Sequence, residues 1–287
     1  MSLPISGIRP SWKSGFARSA GESANPSLWK GLVGAWVPAL GVTGGTLRDV
    51  SGRHAHGALT NMPISTAWGV GQYGHSLDFN TNDYVNCGDL DTLDGFSSMT
   101  VILRIRFDTV AGTQNLITKY IGVGDQRSYI LIMTSSGKLR WVYDSDGTVP
   151  GFGDWITSAI AINVGVWTHI ALIHGNGTVR IFAQNIERAS AKSSGAAPTV
   201  IHAGTAPLHI GSDGGAFPFD GQLADVRIYN RALTANEIFF DYANPLAPFR
   251  LKPLTIATSD AAPPAGGGGI RNPLAGPMTL KTPLGAA

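Results

Sequence analysis

Residues 219–238 read Phe219-Asp220-Gly221-Gln222-Leu223-Ala224-Asp225-Val226-Arg227-Ile228-Tyr229-Asn230-Arg231-Ala232-Leu233-Thr234-Ala235-Asn236-Glu237-Ile238, a strand running into a capped helix. Positions 221–229 are rich in β-branched and aromatic side chains and stop at Asn230, as a strand does. Thr234 stands where an N-cap belongs, and Glu237 three residues on completes a capping box. Ile238 and Tyr242 share a face of the helix, and Pro245 ends it. Upstream the same pattern recurs: short runs of Val, Ile, Thr and aromatics, separated by Gly, Asp, Asn and Ser turns at roughly 8–12 residues. Strands are expected over 32–37, 99–107, 115–120, 129–134, 138–143, 167–174, 178–183, 208–211 and 221–229. In the second of these Val101, Leu103, Ile105 and Phe107 share one face, which sends Arg104 and Arg106 to the other. Ser136-Gly137 and Asn176-Gly177 supply hairpin turns. The pattern is all-β, a two-sheet antiparallel sandwich with one short helix after the last strand.

Composition narrows the classes further. The chain has 287 residues, 37 of them Gly and 17 Pro, and only 14 % are charged, against about 25 % in an ordinary domain. At 43 % hydrophobic it is too apolar for wholesale disorder. Cys87 is the sole cysteine, so neither an intrachain disulfide nor a Cys-built zinc site can form. No run is apolar enough to span a membrane, and the N-terminus lacks a secretory apolar stretch; no membrane partner is expected, and synthesis in a cytoplasm without export by that route is. The net charge of +2 argues against nucleic acid as the main partner, but it is unevenly spread. Residues 1–30 carry +3, residues 244–287 carry +3, and residues 31–243 carry −4. Three segments follow: an extended basic N-terminal arm (1–30), the sandwich (31–243), and a C-terminal arm (244–287) with eight Pro and six Gly.

Several motifs carry a resemblance. Leu32-Val33-Gly34-Ala35-Trp36, Asp49-Val50-Ser51-Gly52 leading to His56-Gly57, Ser76-Leu77-Asp78-Phe79 with Asp83-Tyr84-Val85, Trp167-Thr168-His169, and the 219–238 stretch resemble, in order, the laminin-G-like branch of the concanavalin A-like jelly rolls. The resemblance covers about residues 31–243 and implies that the last long strand pairs beside the first. It leaves function open, because members bind glycans, bind proteins, hydrolyse polysaccharides or build structures.

Candidate sites differ in chemistry. A polysaccharide hydrolase needs two carboxylates flanking the sugar bond, yet the three Glu (Glu22, Glu187, Glu237) are scattered and the Asp residues sit in turns; no catalytic residue is assigned and no enzymatic activity is expected. No cofactor is firmly implied. A structural calcium is implied by the resemblance alone, with Asp49 and Asp225 as its carboxylates, although Ala224 stands where a second acidic residue often occurs. His54 and His56 read as turn residues, and His169 as an interior one. A glycan platform needs exposed aromatics beside planar polar groups. Trp141, Tyr143, Asp144, Asp146, Phe152 and Trp155 surround a Gly-rich loop; if Trp141 and Tyr143 face inward, Phe152 and Trp155 remain as loop candidates.

Asn244-Pro245-Leu246-Ala247 recurs 28 residues later as Asn272-Pro273-Leu274-Ala275, and each copy is followed by Pro, Leu-Lys and Pro-Leu. Too short and Pro-rich to build a core, the two copies suggest docking segments. Together with Arg9, Trp12, Lys13 and Phe16 of the N-terminal arm, the residues Asn244, Pro245, Leu246, Phe249, Arg250, Leu251, Asn272, Pro273, Leu274, Leu280 and Lys281 are expected to contact partner chains. A chain of this layout is similar to virion-associated proteins of tailed bacteriophages. The leading expectation is therefore a capsid decoration or cement subunit on the particle surface, as a homo-oligomer or in a symmetric assembly, with capsid or other virion proteins as partners. The second is a carbohydrate-binding module of a tail fibre or cell-surface protein.

Overall fold

The computed structural model describes residues 15–148 and 152–253. Its strands are β1 (Leu32–Trp36), β2 (Thr46–Leu47), β3 (Gly57–Thr60), β4 (Trp68–Gly71), β5 (Gly74–Phe79), β6 (Tyr84–Asn86), β7 (Ser98–Phe107), β8 (Gln114–Ile121) and β9 (Gln126–Met133). They continue with β10 (Leu139–Asp144), β11 (Phe152–Thr157), β12 (Trp167–Gly175), β13 (Thr178–Ala183), β14 (Ile186–Arg188), β15 (Ser190–Gly195), β16 (Leu208–Ile210) and β17 (Gly221–Tyr229). The helices are a single turn, α1 (Ile64–Ala67), and α2 (Ala235–Ala243). An eight-stranded sheet runs β14-β13-β12-β7-β17-β5-β4, with β1 also paired to β17; a nine-stranded sheet runs β15-β11-β10-β9-β8-β16-β6-β3-β2. First and last long strands thus lie side by side, Trp36 opposite Val226. Gly221 opens β17 at φ +147°, where a Cβ would fall 2.1 Å from the Arg106 carbonyl oxygen, so no other residue fits that crossing.

The main core fills the space between the sheets. Val101, Leu103, Ile105 and Phe107 of β7 meet Leu131, Met133, Leu139 and Trp141 from the facing sheet. Inside it Trp141 stacks between Tyr129 and Tyr143, at ring distances of 5.5 and 6.2 Å. A second apolar cluster covers the other face of the eight-stranded sheet: Leu32, Ala35, Ile102, Ala171, Ile173, Tyr229, Ile238 and Phe249 pack there, with Phe16 and Leu246 at its margin. This outer layer corrects the reading of β7. Arg104 does leave the main core, but it is 1 % exposed under α2 rather than solvated.

The two chain ends supply much of that layer, which revises the expectation of free arms. Ala17 N–H donates to Phe249 O (2.7 Å), Ala24 N–H to Arg250 O (2.8 Å) and Lys252 N–H to Glu22 O (2.8 Å). The Ser23 hydroxyl and the Trp29 indole both donate to Pro248 O, and Trp29 meets the Phe249 ring edge-on at 5.8 Å. Leu246 holds φ +61° to turn the chain into this seat. Phe249 is thus an internal packing residue, while Phe16 and Leu246 are partly buried at the margin of the same layer. Arg9, Trp12, Lys13, Asn272, Pro273, Leu274, Leu280 and Lys281 lie outside the described residues.

His174 on β12 is fully buried against the Tyr143 ring (4.4 Å), and neither ring nitrogen has a partner among the described residues. Burial lowers its pKa from 6.5 to about 4. A lowered value means that the unfolded chain takes the proton first, so stability is complete above about pH 6.5 and falls as pH drops towards 4. His174→Phe is expected to keep or raise the Tm at pH 7 and to flatten melting temperature against pH over that window. An unchanged acid slope in the variant would show that other groups control it.

Candidate functional site

Alternation along β8 to β11 divides each strand between core and exterior. Register places Asn115 opposite Ile132, Thr118 opposite Ile130, Ile130 opposite Val142, and Asp144 opposite Phe152 on the outer face of the nine-stranded sheet. Of these, Asn115, Ile130, Ile132, Val142 and Phe152 line an open groove of about 540 Å³. Ile130, Ile132 and Val142 make its apolar base, Tyr120, Phe152 and Phe217 its aromatic margins, and Arg127, Arg140, Asn115 and Asp213 its polar ones. Phe217 is 57 % exposed, on a turn where it adopts φ +49°.

The polar margin is held in place by the protein. Arg140 makes a two-pronged pair with Asp154, at 2.9 and 2.7 Å, which raises the arginine pKa. Arg127 stands over the Tyr120 ring at 5.9 Å; its Nε donates to the Tyr120 hydroxyl, its Nη1 to Gly147 O (3.1 Å) and its Nη2 to Gly122 O. Fixed guanidinium planes and aromatic faces side by side suit the flat faces and equatorial hydroxyls of a sugar.

The two expected platform residues part company. Phe152 lines the groove. Trp155 pairs with Trp141 across β10 and β11 and therefore points inward, half-buried against the main core. The segment is a strand and not a loop, and alternation puts residues three apart on opposite faces. Trp141 and Tyr143 face inward as well.

The calcium carboxylates are already engaged. Asp49 accepts from Ala35 N–H, Ser51 N–H, the Ser51 hydroxyl and Ala55 N–H, at 2.8–3.0 Å, and so locks the turn that follows it. Asp225 is fully buried between Arg104 and Arg227, both at 2.7 Å. Asp241 completes this charged cluster under α2, bonding Arg227 (2.8 Å), Arg104 (3.0 Å) and His169 Nε2 (3.1 Å). Among the described residues no group of three or more His, Cys, Asp or Glu is arranged to hold a metal. Asp89 and Asp94 do more than shape turns: both pair with buried Lys119, at 2.6 and 3.2 Å.

Tyr120, Arg127, Arg140, Asp213, Phe217 and Asn115 were not anticipated at this site. One signal in the sequence does point to it. Tyr129-Ile130-Leu131-Ile132-Met133 is apolar at every position, so the outward residues Ile130 and Ile132 need cover that a solvated strand face would not.

Comparison with known proteins agrees with this architecture. Residues 79–239 match the family model described as the concanavalin A-like lectin/glucanases superfamily. Domain 4 of AbnA, an extracellular arabinanase of Geobacillus stearothermophilus solved with arabinotriose, shares 21 % identity at a TM-score of 0.57, over 74 % of this chain and 98 % of that one. A Trypanosoma rangeli sialidase shares 16 % identity at 0.53, over 74 % of this chain and 32 % of its own, so this chain spans about a third of it. No curated protein matches. With its matched segment running from β5 into α2 and taking in the whole groove floor, the chain belongs to the concanavalin A-like lectin/glucanase superfamily.

Proposed function

We propose that this protein is a non-catalytic carbohydrate-binding module whose ligand lies in the groove on the outer face of the nine-stranded sheet. The observation that carries the reading is the groove itself: an apolar floor bounded by Tyr120, Phe152 and Phe217, beside guanidinium groups that the protein already holds rigid. The arabinotriose in the AbnA domain is a property of that protein; it makes arabino-oligosaccharides a reasonable first ligand to try. The non-catalytic part of the reading is supported by the separate engagement of the three Glu. Glu22 accepts from Arg18 N–H, Glu187 pairs with Arg180, and Glu237 closes the α2 capping box and binds Arg231. Of the five C-terminal leucine and phenylalanine anchors of the virion reading, Phe249 is buried within the molecule and Leu246 partly so, Leu251 is 44 % exposed, and Leu274 and Leu280 lie outside the described residues.

Phe152→Ala is expected to weaken oligosaccharide binding about tenfold or more, which corresponds to roughly 1.4 kcal/mol, with an unchanged Tm. Trp155→Ala is expected to do the reverse, lowering the Tm while the folded fraction keeps its affinity. A glycan array followed by calorimetry on the hits measures both. Absence of any glycan binding by the unaltered protein would overturn the assignment.

A further inference from the structure

Phe217 borders more than the groove. The same residue lines a second open cleft, of about 510 Å³, at the start of β8, and Thr113 just before that strand is likewise shared by the two. Asn80 and Thr81 line the second cleft beside them. The side chains of Asn80, Thr81 and Thr113 are exposed and make no hydrogen bond to any described residue, so their polar groups face solvent ready for a ligand.

The backbone explains why the Phe217 ring stands between these clefts. Side chains two apart in an extended segment share a side, and Phe219 is buried against the rings of Phe79 and Phe107, at 5.4 and 5.3 Å. The left-handed φ of +49° at Phe217 breaks that pattern and leaves its side chain 57 % exposed. Such a conformation is unfavourable for a residue with a side chain. The turn nevertheless holds it: Asn115 N–H donates to Phe217 O (2.8 Å), Phe219 N–H to Gly211 O (2.7 Å), and Asp213 and Ala216 bond each other in both directions. Phe217 belongs to neither apolar cluster and stacks on no aromatic ring among the described residues. The fold fixes this ring in place without using it for packing.

We propose that Phe217 is the ridge between two halves of one extended site, over which a sugar chain runs from the Ile130 and Ile132 floor to the second cleft at Asn80 and Thr81. The ligand class is then a stretch within a polysaccharide chain, longer than the first groove holds, and not a mono- or disaccharide. A sugar face packs on the exposed ring, and hydroxyls of the following units meet Thr113, Asn80 and Thr81. Because the turn is already ordered, little freedom is lost when the chain crosses it. This inference rests on the glycan-binding reading above.

Calorimetry on the full chain with trisaccharides and hexasaccharides of arabinose, xylose and glucose tests it. The hexasaccharide of the preferred sugar is expected to bind about tenfold tighter than its trisaccharide, or more. Ala111→Trp, which fills the second cleft from an exposed position on its wall, is expected to bring the hexasaccharide down to trisaccharide affinity. Thr81→Ala, which only shortens an exposed side chain, is expected to reduce the length preference in the same direction if the tryptophan disturbs its loop. Phe217→Ala is expected to weaken the hexasaccharide about tenfold with an unchanged Tm. Equal affinity for the two lengths, or a length preference that survives both second-cleft variants, would overturn the extended site while leaving the groove a glycan site. Failure to bind either length of any sugar would instead remove the glycan reading itself.

Discussion

Asp241→Ala is expected to destabilise the protein by about 3–5 kcal/mol, the cost of breaking a buried ion pair from one side. Asp241 is 1 % exposed and is the shared acceptor of Arg227, Arg104 and His169. Its loss leaves two buried guanidinium groups facing the single carboxylate of Asp225. Neighbouring arginines hold the Asp241 pKa well below 3.8 against the opposing effect of burial. A lowered carboxylate pKa means that its contribution is complete above about pH 4 and is lost as pH falls through the folded value. Burial keeps His169 below its usual pKa, so it stays neutral and adds no third positive charge near neutral pH. The Arg180–Glu187 pair provides the contrast, with side chains 43 and 46 % exposed; solvent screening limits it to about 1 kcal/mol at most. Urea melts of Asp241→Ala and Glu187→Ala at pH 7 measure the difference. A loss below about 1 kcal/mol for the first would show that water or backbone relaxation takes over its role.

Phe249→Ala is expected to cost about 3–5 kcal/mol, the range for emptying a buried aromatic site. Phe249 is 2 % exposed, within the second apolar cluster and against Trp29. Truncation after residue 243 removes more, because Leu246, Ala247 and Pro248 leave with it and Ala17, Ala24 and the Trp29 indole lose their acceptors. Truncation after residue 253 keeps every described contact and is expected to leave the Tm unchanged. Thermal melts of the two truncations separate a structural strap from a detachable arm. Equal stability of both would restore the picture of free arms.

Long strands were legible because each carries its own alternation. The nine expected from the sequence all appear, β7 and β17 within a residue or two of their expected bounds. Short strands such as β2 (Thr46–Leu47), or polar ones such as β15 (Ser190–Gly195, almost wholly exposed), owe their form to the neighbour they pair with, and so leave no periodic trace. The capping box over Thr234 and Glu237 was equally readable, being complete within four residues. The groove was half legible. Phe152 was singled out, but separating it from Trp155 required the register of β10 against β11. Asp213 and Phe217 come from a turn brought to the groove by β16, a pairing that local sequence does not encode. That residues 15–30 and 244–253 pack on the eight-stranded sheet was not legible, because a Pro-rich segment without its own core looks the same whether it docks elsewhere or on its own sheet.

Pairing residues 22–24 with residues 250–252 has an architectural consequence. The entry and exit of the described chain lie next to one another, on the face of the sandwich opposite the groove. Such a module could be spliced into a loop of another protein, or held at both ends, without stretching its sheets, since the points where the described chain enters and leaves the sandwich are adjacent. Attached in that way it would point its aromatic groove away from whatever carries it, as a socket mounted from behind.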